Sequence, residues 1–384
     1  MLDNLTKPSA EALEHSAKLS ALIHQDIAQQ GGWIPFSRFM ELALYAPNLG
    51  YYSAGARKFG EAGDFITAPE LSALFGRTIA RQVADIMAAS APQILELGAG
   101  SGKLAVDILS ELERLNALPA QYSILEVSAD LRQRQQEYVQ QQIPNLANRV
   151  CWLDALPDKI VGAVIANEVL DALPVHLIHW SNGQIFERGV VSNQQQFDWQ
   201  DRLPENENLM ALASAIPTPV DYLSEISPAA RGLVSSLSER LEHGAMLLID
   251  YGFGIREFYH PQRASGTLMC HYRHHSHDQP FYLPGLQDIT AHVDFTAIAE
   301  AAIDAGAQLY GYTSQAFFLM NSGILDLLAE VSPDNLREYL PLSAQVQKLT
   351  SPAEMGELFK VIALGKGIDQ PLRGFSRGDL SRML

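Results

Sequence analysis

Residues 93–104 read QILELGAGSGKL. The apolar run Ile94, Leu95 and Leu97 encloses Glu96, then opens into three alternating glycines, Gly98, Gly100 and Gly102. Leu104, Ala105, Val106, Ile108 and Leu109 follow as the apolar side of a helix start. The pattern predicts a buried strand that breaks into a glycine turn and then a helix. Without a Cβ, such a turn lets a nucleoside ligand come close to the backbone.

Three ligands compete for the turn. A phosphate-cradling loop needs G-x-x-x-x-G-K-[ST]. Here Lys103 is followed by Leu104, which has no hydroxyl for magnesium, and the first required glycine falls on Leu97. A dinucleotide site wants G-x-G-x-x-G, but this chain has G-x-G-x-G, with Lys103 where the third glycine is due. What remains is the E-x-G-x-G-x-G turn that takes S-adenosyl-L-methionine (SAM), whose ammonium and sulfonium are cationic. Glu96 suits a cationic ligand and would repel a pyrophosphate. On this segment alone, a glycine turn with no ligand stays open.

The rest of the chain sets limits. Its 384 residues, 47% apolar and 18% charged, are enough for a full α/β domain with additions. With 27 basic and 44 acidic residues the net charge is −17. That argues against nucleic-acid partners, whose backbones need phosphate neutralisation. The two cysteines, Cys151 and Cys270, fit a reducing compartment. The N-terminus carries no apolar core of signal length, and no run of roughly 20 apolar residues occurs to span a membrane. A cytoplasmic protein is expected.

Apolar spacing predicts an amphipathic helix over 9–30, ended by Gly31-Gly32, then an aromatic-rich segment from Trp33 to Phe65. A second helix is expected from about Pro69 to Ala89. Strands are expected at 93–97, 122–127, 149–153, 161–166, 245–250, 307–313 and 359–365, alternating with helices as in a parallel sheet covered on both faces. The run QQEYVQQQ at 135–142 reads as a polar helix face. Two stretches interrupt the alternation, an inserted β-ribbon at 176–203 around Asn182-Gly183 and a loop at 252–295.

Several residues fall where such a sheet puts its ligand, at strand C-termini. Glu126, 24 positions after Gly102, is placed to accept both ribose hydroxyls. Asp154 could accept the adenine amino group, and is equally a routine helix cap. Asn167, Glu168 and Asp171, in NEVLDALP, put an amide and two carboxylates beside the transferable methyl; capping of the next helix is the bland alternative. Asp250 and Tyr251 occupy the equivalent end of the next strand. Upstream, GDFITAPE at 63–70 could close over the methionine end of SAM through Asp64, Thr67 and Pro69. Thr67 could equally be only an N-cap, with Pro69 in the first turn. The histidines His260, His271, His274, His275 and His277 lack metal-site spacing, and no metal is expected.

These segments together resemble the MidA-like SAM-dependent methyltransferases, whose mitochondrial members are complex I assembly factors that methylate protein arginine. The resemblance rests on GYYS at 50–53, GDFITAPELSALFG at 63–76, ELGAGSGKL at 96–104 and LEVSADLR at 125–132. It continues through ANEVLDALPV at 166–175, IDYGFG at 249–254, GTLMCHYRHHSHD at 266–278, LQDITAHVDFT at 286–296 and FKVIALGKG at 359–367. It implies an α/β fold, the class I (Rossmann-like) seven-stranded sheet in the order 3-2-1-4-5-7-6. A helical and aromatic cap at 1–90, a core at 91–367 with insertions at about 176–240 and 252–295, and a tail at 368–384 complete the expected organisation. SAM is the implied cofactor and S-adenosyl-L-homocysteine the product. The expected cofactor residues are Glu96, Gly98, Gly100, Gly102, Glu126, Asp154, Asn167, Thr67 and Pro69. The expected catalytic residues are Glu168, Asp171 and Asn167. The implied acceptor is a protein arginine, with a respiratory-chain subunit as the implied partner and oligomeric state left open. The alternative is a SAM-binding assembly chaperone with little turnover.

Overall fold

Gln93–Leu97 is a strand buried at every residue but its first, as its unbroken apolar run requires of a strand covered on both faces. In a computed structural model, which describes residues 7–54, 67–219 and 221–384, this strand lies inside a mixed sheet. The sheet comprises β1 (Gln93–Leu97), β2 (Gln121–Leu125), β3 (Val150–Leu153), β4 (Ile160–Asn167), β5 (Leu241–Phe253), β6 (Gln308–Ser314) and β7 (Phe359–Lys366). The order is β3-β2-β1-β4-β5-β7-β6. Strands β3 to β5 are parallel, and β7 runs antiparallel to both β5 and β6. A short strand, Val293–Asp294, pairs in parallel with the end of β5. Connections leave β1 toward β2 and re-enter at β4 on its other side, so the C-terminal ends of β1 and β4 flank a topological switch point.

The chain divides into two units. The sheet belongs to the unit made of the described residues of Ile66–Leu170, Leu233–Gly254 and Val293–Leu384. Its core joins Phe75, Ile79, Val83 and Ile86 from the helix Ala73–Ala89 to Ile94, Ile124, Ile165, Leu247 and Val361 from the strands. The expected boundary at residue 90 is therefore displaced, because the helix before β1 packs on the sheet. The residues at 368–384 are not a separate tail either. Leu372 and Phe375 are buried in the same core, and Arg373 pairs with Asp85 at 2.7 Å.

The second unit comprises the described residues of Met1–Phe65, Asp171–Gly232 and Ile255–His292. The expected ribbon is there: His176–Ser181, Gln184–Asn193 and Gln196–Arg202 form successive hairpins. Asn182 and Gly183 both take positive φ (52° and 76°), the condition for the tight turn whose twist matches its strands. The sheet is larger than the ribbon, since Tyr222–Ile226 pairs with His176–Ser181 and Ile34–Pro35 with Gln184–Asn193. Phe36, Phe39, Phe197, Trp199 and Phe281 pack ring against ring beneath it. The stretch read as a loop at 252–295 contains a three-stranded sheet of Met269–Tyr272, His275–His277 and Asp288–Thr290.

Local differences have local causes. The helix expected over 69–89 is two, Ala68–Leu71 and Ala73–Ala89. Ser72 between them is extended (φ −155°, ψ 132°), and its hydroxyl accepts from the Leu74 N–H, a capping geometry that serine prefers to helix. Strand β2 stops at Leu125 rather than 127, where the Glu126 carboxylate turns back to accept from the Ser128 N–H at 2.9 Å. Among the described residues no helix is long and apolar enough to cross a membrane.

Candidate active site

The glycine turn uses the freedom of all three glycines: Gly98, Gly100 and Gly102 have φ of 60°, 54° and 85°. A Cβ on Gly98 would stand 3.1 Å from Val169 Cγ2, so the turn is a cradle that a side chain would begin to fill. Gly98 is pinned by its N–H, which donates to the Leu125 carbonyl at 3.1 Å. Gly102 starts the helix Lys103–Arg114 with no capping side chain. First-turn N–H groups after that of Lys103 thereby receive no bond from the cap residue. The Ser101 hydroxyl accepts from Lys103 N–H at 3.3 Å and donates to the Glu70 carboxylate.

Through that last bond the turn Ala68–Leu71 is tied to the glycines. Thr67 is the N-cap of Ala68–Leu71 by position only, since its side chain makes no capping bond, and both Thr67 and Pro69 are buried. Asp64, expected to act with them, lies outside the described residues.

Two buried carboxyls follow from the strands. Glu96 accepts from the Tyr122 hydroxyl at 2.8 Å. Burial, opposed by that bond and reinforced by the Glu126 charge, pushes its pKa up to about 7. Glu126 accepts from Ser128 N–H at 2.9 Å on Oε1 and from Gln135 Nε2 at 3.0 Å on Oε2. Burial raises its pKa, while these two bonds, the Val127 N–H and the Arg132 charge lower it. Each oxygen keeps a lone pair for a ligand hydroxyl.

Gln135 corrects the reading of 135–142 as a polar face. It is 0% exposed, its Nε2 also donates to the Gly100 carbonyl at 3.0 Å, and its Oε1 accepts from Trp152 Nε1 at 2.9 Å. The available signal was the spacing Leu131, Gln135, Val139, one buried stripe with period four. Asp154 stands on the surface, its side chain 90% exposed and paired with Arg132 at 2.7 Å. No helix begins there for it to cap.

At the end of β4, Asn167 Nδ2 donates to Glu168 Oε1 at 3.0 Å. Asn167 Oδ1 is buried with no hydrogen-bond partner among the described residues, an acceptor available to a ligand ammonium or amine. Glu168 sits at φ 54°, a left-handed conformation that costs a non-glycine residue about 1 kcal/mol or more and clusters at functional sites. Asp250 holds the conformation. Its Oδ2 accepts from Val169 and Leu170 N–H at 3.2 and 2.8 Å, and Oδ1 from Tyr251 N–H at 2.9 Å. The sequence offered Asp250 only as a crevice residue; here it is the brace of the Glu168 turn.

Asn167 and Glu168 are thus brought together, whereas Asp171 begins a segment of the other unit. There Asp171 is buried, its carbonyl accepts from Ala291 N–H at 3.0 Å, and its charge raises the pKa of Tyr52. The larger causes of that rise are burial and Asp288, whose two oxygens both accept from the Tyr52 hydroxyl at 2.9 Å. Sequence reasoning missed Tyr52 and Asp288 as a pair, though both lie in the motifs GYYS and DITAHVDF. The described residues hold no group of three His, Cys, Asp or Glu side chains placed to share a metal ion.

The open cradle at Gly98, the uncommitted lone pairs of Glu126 and the unpartnered Asn167 Oδ1 fit a nucleoside with an amino-acid tail. Comparison with known proteins agrees. A family described as S-adenosyl-L-methionine-dependent methyltransferase matches residues 78–313. The protein arginine methyltransferase NDUFAF7 homolog, mitochondrial, of Drosophila melanogaster is 29% identical, over 96% of this chain and 93% of that protein. Its counterpart in Danio rerio is 30% identical, over 87% of this chain and 83% of that one. A solved structure from Burkholderia thailandensis, bound to S-adenosyl-homocysteine, is 50% identical, with a TM-score of 0.96 over 99% of this chain and all of that one.

Proposed function

This chain belongs to the S-adenosyl-L-methionine-dependent methyltransferase family, and we propose that it methylates a guanidinium nitrogen of arginine in a protein substrate. The observation that carries the reading is the turn after β4, where Glu168 is held in a strained conformation beside Asn167. A strand end reading VGAVIAN needs no such carboxylate for packing.

When bound, SAM supplies a methyl group on a cationic sulfur that leaves as a neutral thioether. The chain's own work is alignment and desolvation. Glu126 accepts the ribose hydroxyls, Gly98 and Gly100 leave room for the nucleoside, and Asn167 Oδ1 receives the ammonium. Thr67 and Pro69 line the methionine end, and Asp154 meets the adenine amino group. An arginine side chain carries a delocalised charge and a pKa above 12, so it is a poor nucleophile. A carboxylate paired to it draws positive charge away from the attacking nitrogen and fixes the plane of the guanidinium. We assign that part to Glu168. Transfer would join the nitrogen to the methyl carbon as the carbon–sulfur bond breaks, and the nitrogen would release its proton to water.

Arginine as acceptor is supported by the names of relatives at 29–30% identity. A respiratory-chain subunit as target and the cytoplasm as location belong to the same proposal, resting on the resemblance and on composition. The test is mass spectrometry of proteins incubated with isotopically labelled SAM and either wild type or Glu168→Gln. Wild type is expected to place label on arginine, and Glu168→Gln to lose at least about 100-fold in transfer while binding S-adenosylhomocysteine within about threefold. Label on lysine or a carboxyl group would overturn the acceptor. Loss of cofactor binding would move Glu168 to the cofactor.

A further inference from the structure

We propose that Gln135 is a positioning residue that sets the preference of the cofactor site for ribose over deoxyribose. It does so by holding the Glu126 carboxylate. The indole N–H of Trp152 can only donate, so the Gln135 oxygen must face it, at 2.9 Å. That turns the amide NH2 toward two acceptors, Glu126 Oε2 and the Gly100 carbonyl, each at 3.0 Å. Each amide hydrogen has one acceptor. Turned the other way, the amide would set donor against donor at Trp152 and oxygen against oxygen at the other two.

The lock acts on Glu126 from one side while Ser128 N–H holds its second oxygen at 2.9 Å from the other. The remaining lone pairs then point in one fixed direction, as two vicinal hydroxyls require. The same amide joins the carboxylate to the glycine turn, so ribose and methionine ends of the site share one reference point.

The inference rests on Glu126 receiving the ribose, and its test separates the two. Titration calorimetry of the full chain with S-adenosylhomocysteine and its 2′-deoxy analogue gives a preference ratio, expected to be about 10–100 in wild type for a hydrogen bond to a charged group. Gln135→Met is expected to bring the ratio below about threefold. Trp152→Phe, which leaves Gln135 in place but frees its amide to turn, should lower the ratio several-fold and carries the test if Gln135→Met does not fold. A preserved ratio in the variants that fold, with or without a uniform loss of affinity, overturns the proposal and leaves Gln135 a structural role only. Glu126→Ala identifies the other failure: if it too keeps the ratio, the ribose does not sit on Glu126.

Discussion

The carboxylate of Asp250 accepts the backbone N–H of Leu170 at 2.8 Å, and through that bond β5 dictates the conformation of the chain leaving β4. With Val169 N–H on the same oxygen, residue 168 has no freedom to relax toward an ordinary φ. Asp250→Ala strips a charged acceptor from three backbone donors. It is expected to cost about 3 kcal/mol in urea unfolding, and to lower kcat more than cofactor affinity. Unchanged turnover in a protein of reduced stability would show that the Glu168 turn does not need its brace.

Gly98 and Gly183 share a positive φ but not a neighbourhood. A Cβ at Gly183 meets nothing within 4 Å, whereas one at Gly98 meets Val169. Alanine at either is expected to cost about 1 kcal/mol for the left-handed backbone. Only Gly98→Ala should also weaken S-adenosylhomocysteine, by roughly tenfold or more, as calorimetry can measure. Equal affinities in the two variants would show that the Gly98 turn does not shape the cofactor site.

Glu96 gives the protein a pH signature. A carboxyl whose pKa rises from 4.5 unfolded to about 7 folded binds more protons in the folded state between those values. Stability therefore falls as pH climbs through that window and levels off above it, by roughly 3 kcal/mol in all from this group. Glu96→Gln should remove the fall, making the ligand-free protein more stable than wild type at pH 8 but not at pH 4. Affinity for SAM should rise from pH 6 to pH 8 in wild type, as the carboxylate opposite a cationic ligand ionises, and stay flat in the variant. Parallel pH curves for the two proteins would show that Glu96 does not titrate in this window.

Asp154 is exposed and paired with Arg132, so its removal should leave the urea midpoint where it is. If it reads the adenine amino group, Asp154→Ala narrows the preference for S-adenosylhomocysteine over its inosine analogue. An unaltered preference would assign adenine recognition elsewhere.

What the sequence made legible is what local chemistry dictates. Gly98, Gly100 and Gly102 announce a turn because nothing else tolerates three positive φ values so close together, and Glu126 is readable from the end of an apolar run. Gln135 was hidden because its neighbours in QQEYVQQQ are polar, and only a stripe of period four sets it apart. Asp250 was visible as a residue but not as a brace, since Val169 and Leu170, which it holds, lie 81 and 80 positions away. The division into units was illegible for the same reason. Whether 67–89 belongs with what precedes or follows it is decided by the face against which Phe75 and Val83 pack, which no local pattern contains.

The place of β7 between β5 and β6 matters while the protein is being made. The outer neighbour of β5, β7, lies at residues 359–366, more than a hundred residues downstream of it. At roughly 5–20 residues per second of synthesis, the ribosome leaves β5 waiting on the order of 10 s for its partner. For that interval a nascent chain presents AMLLID with an open hydrogen-bonding edge, the kind of edge that pairs with whatever strand arrives first. The central sheet is therefore completed only after the last strand has been made.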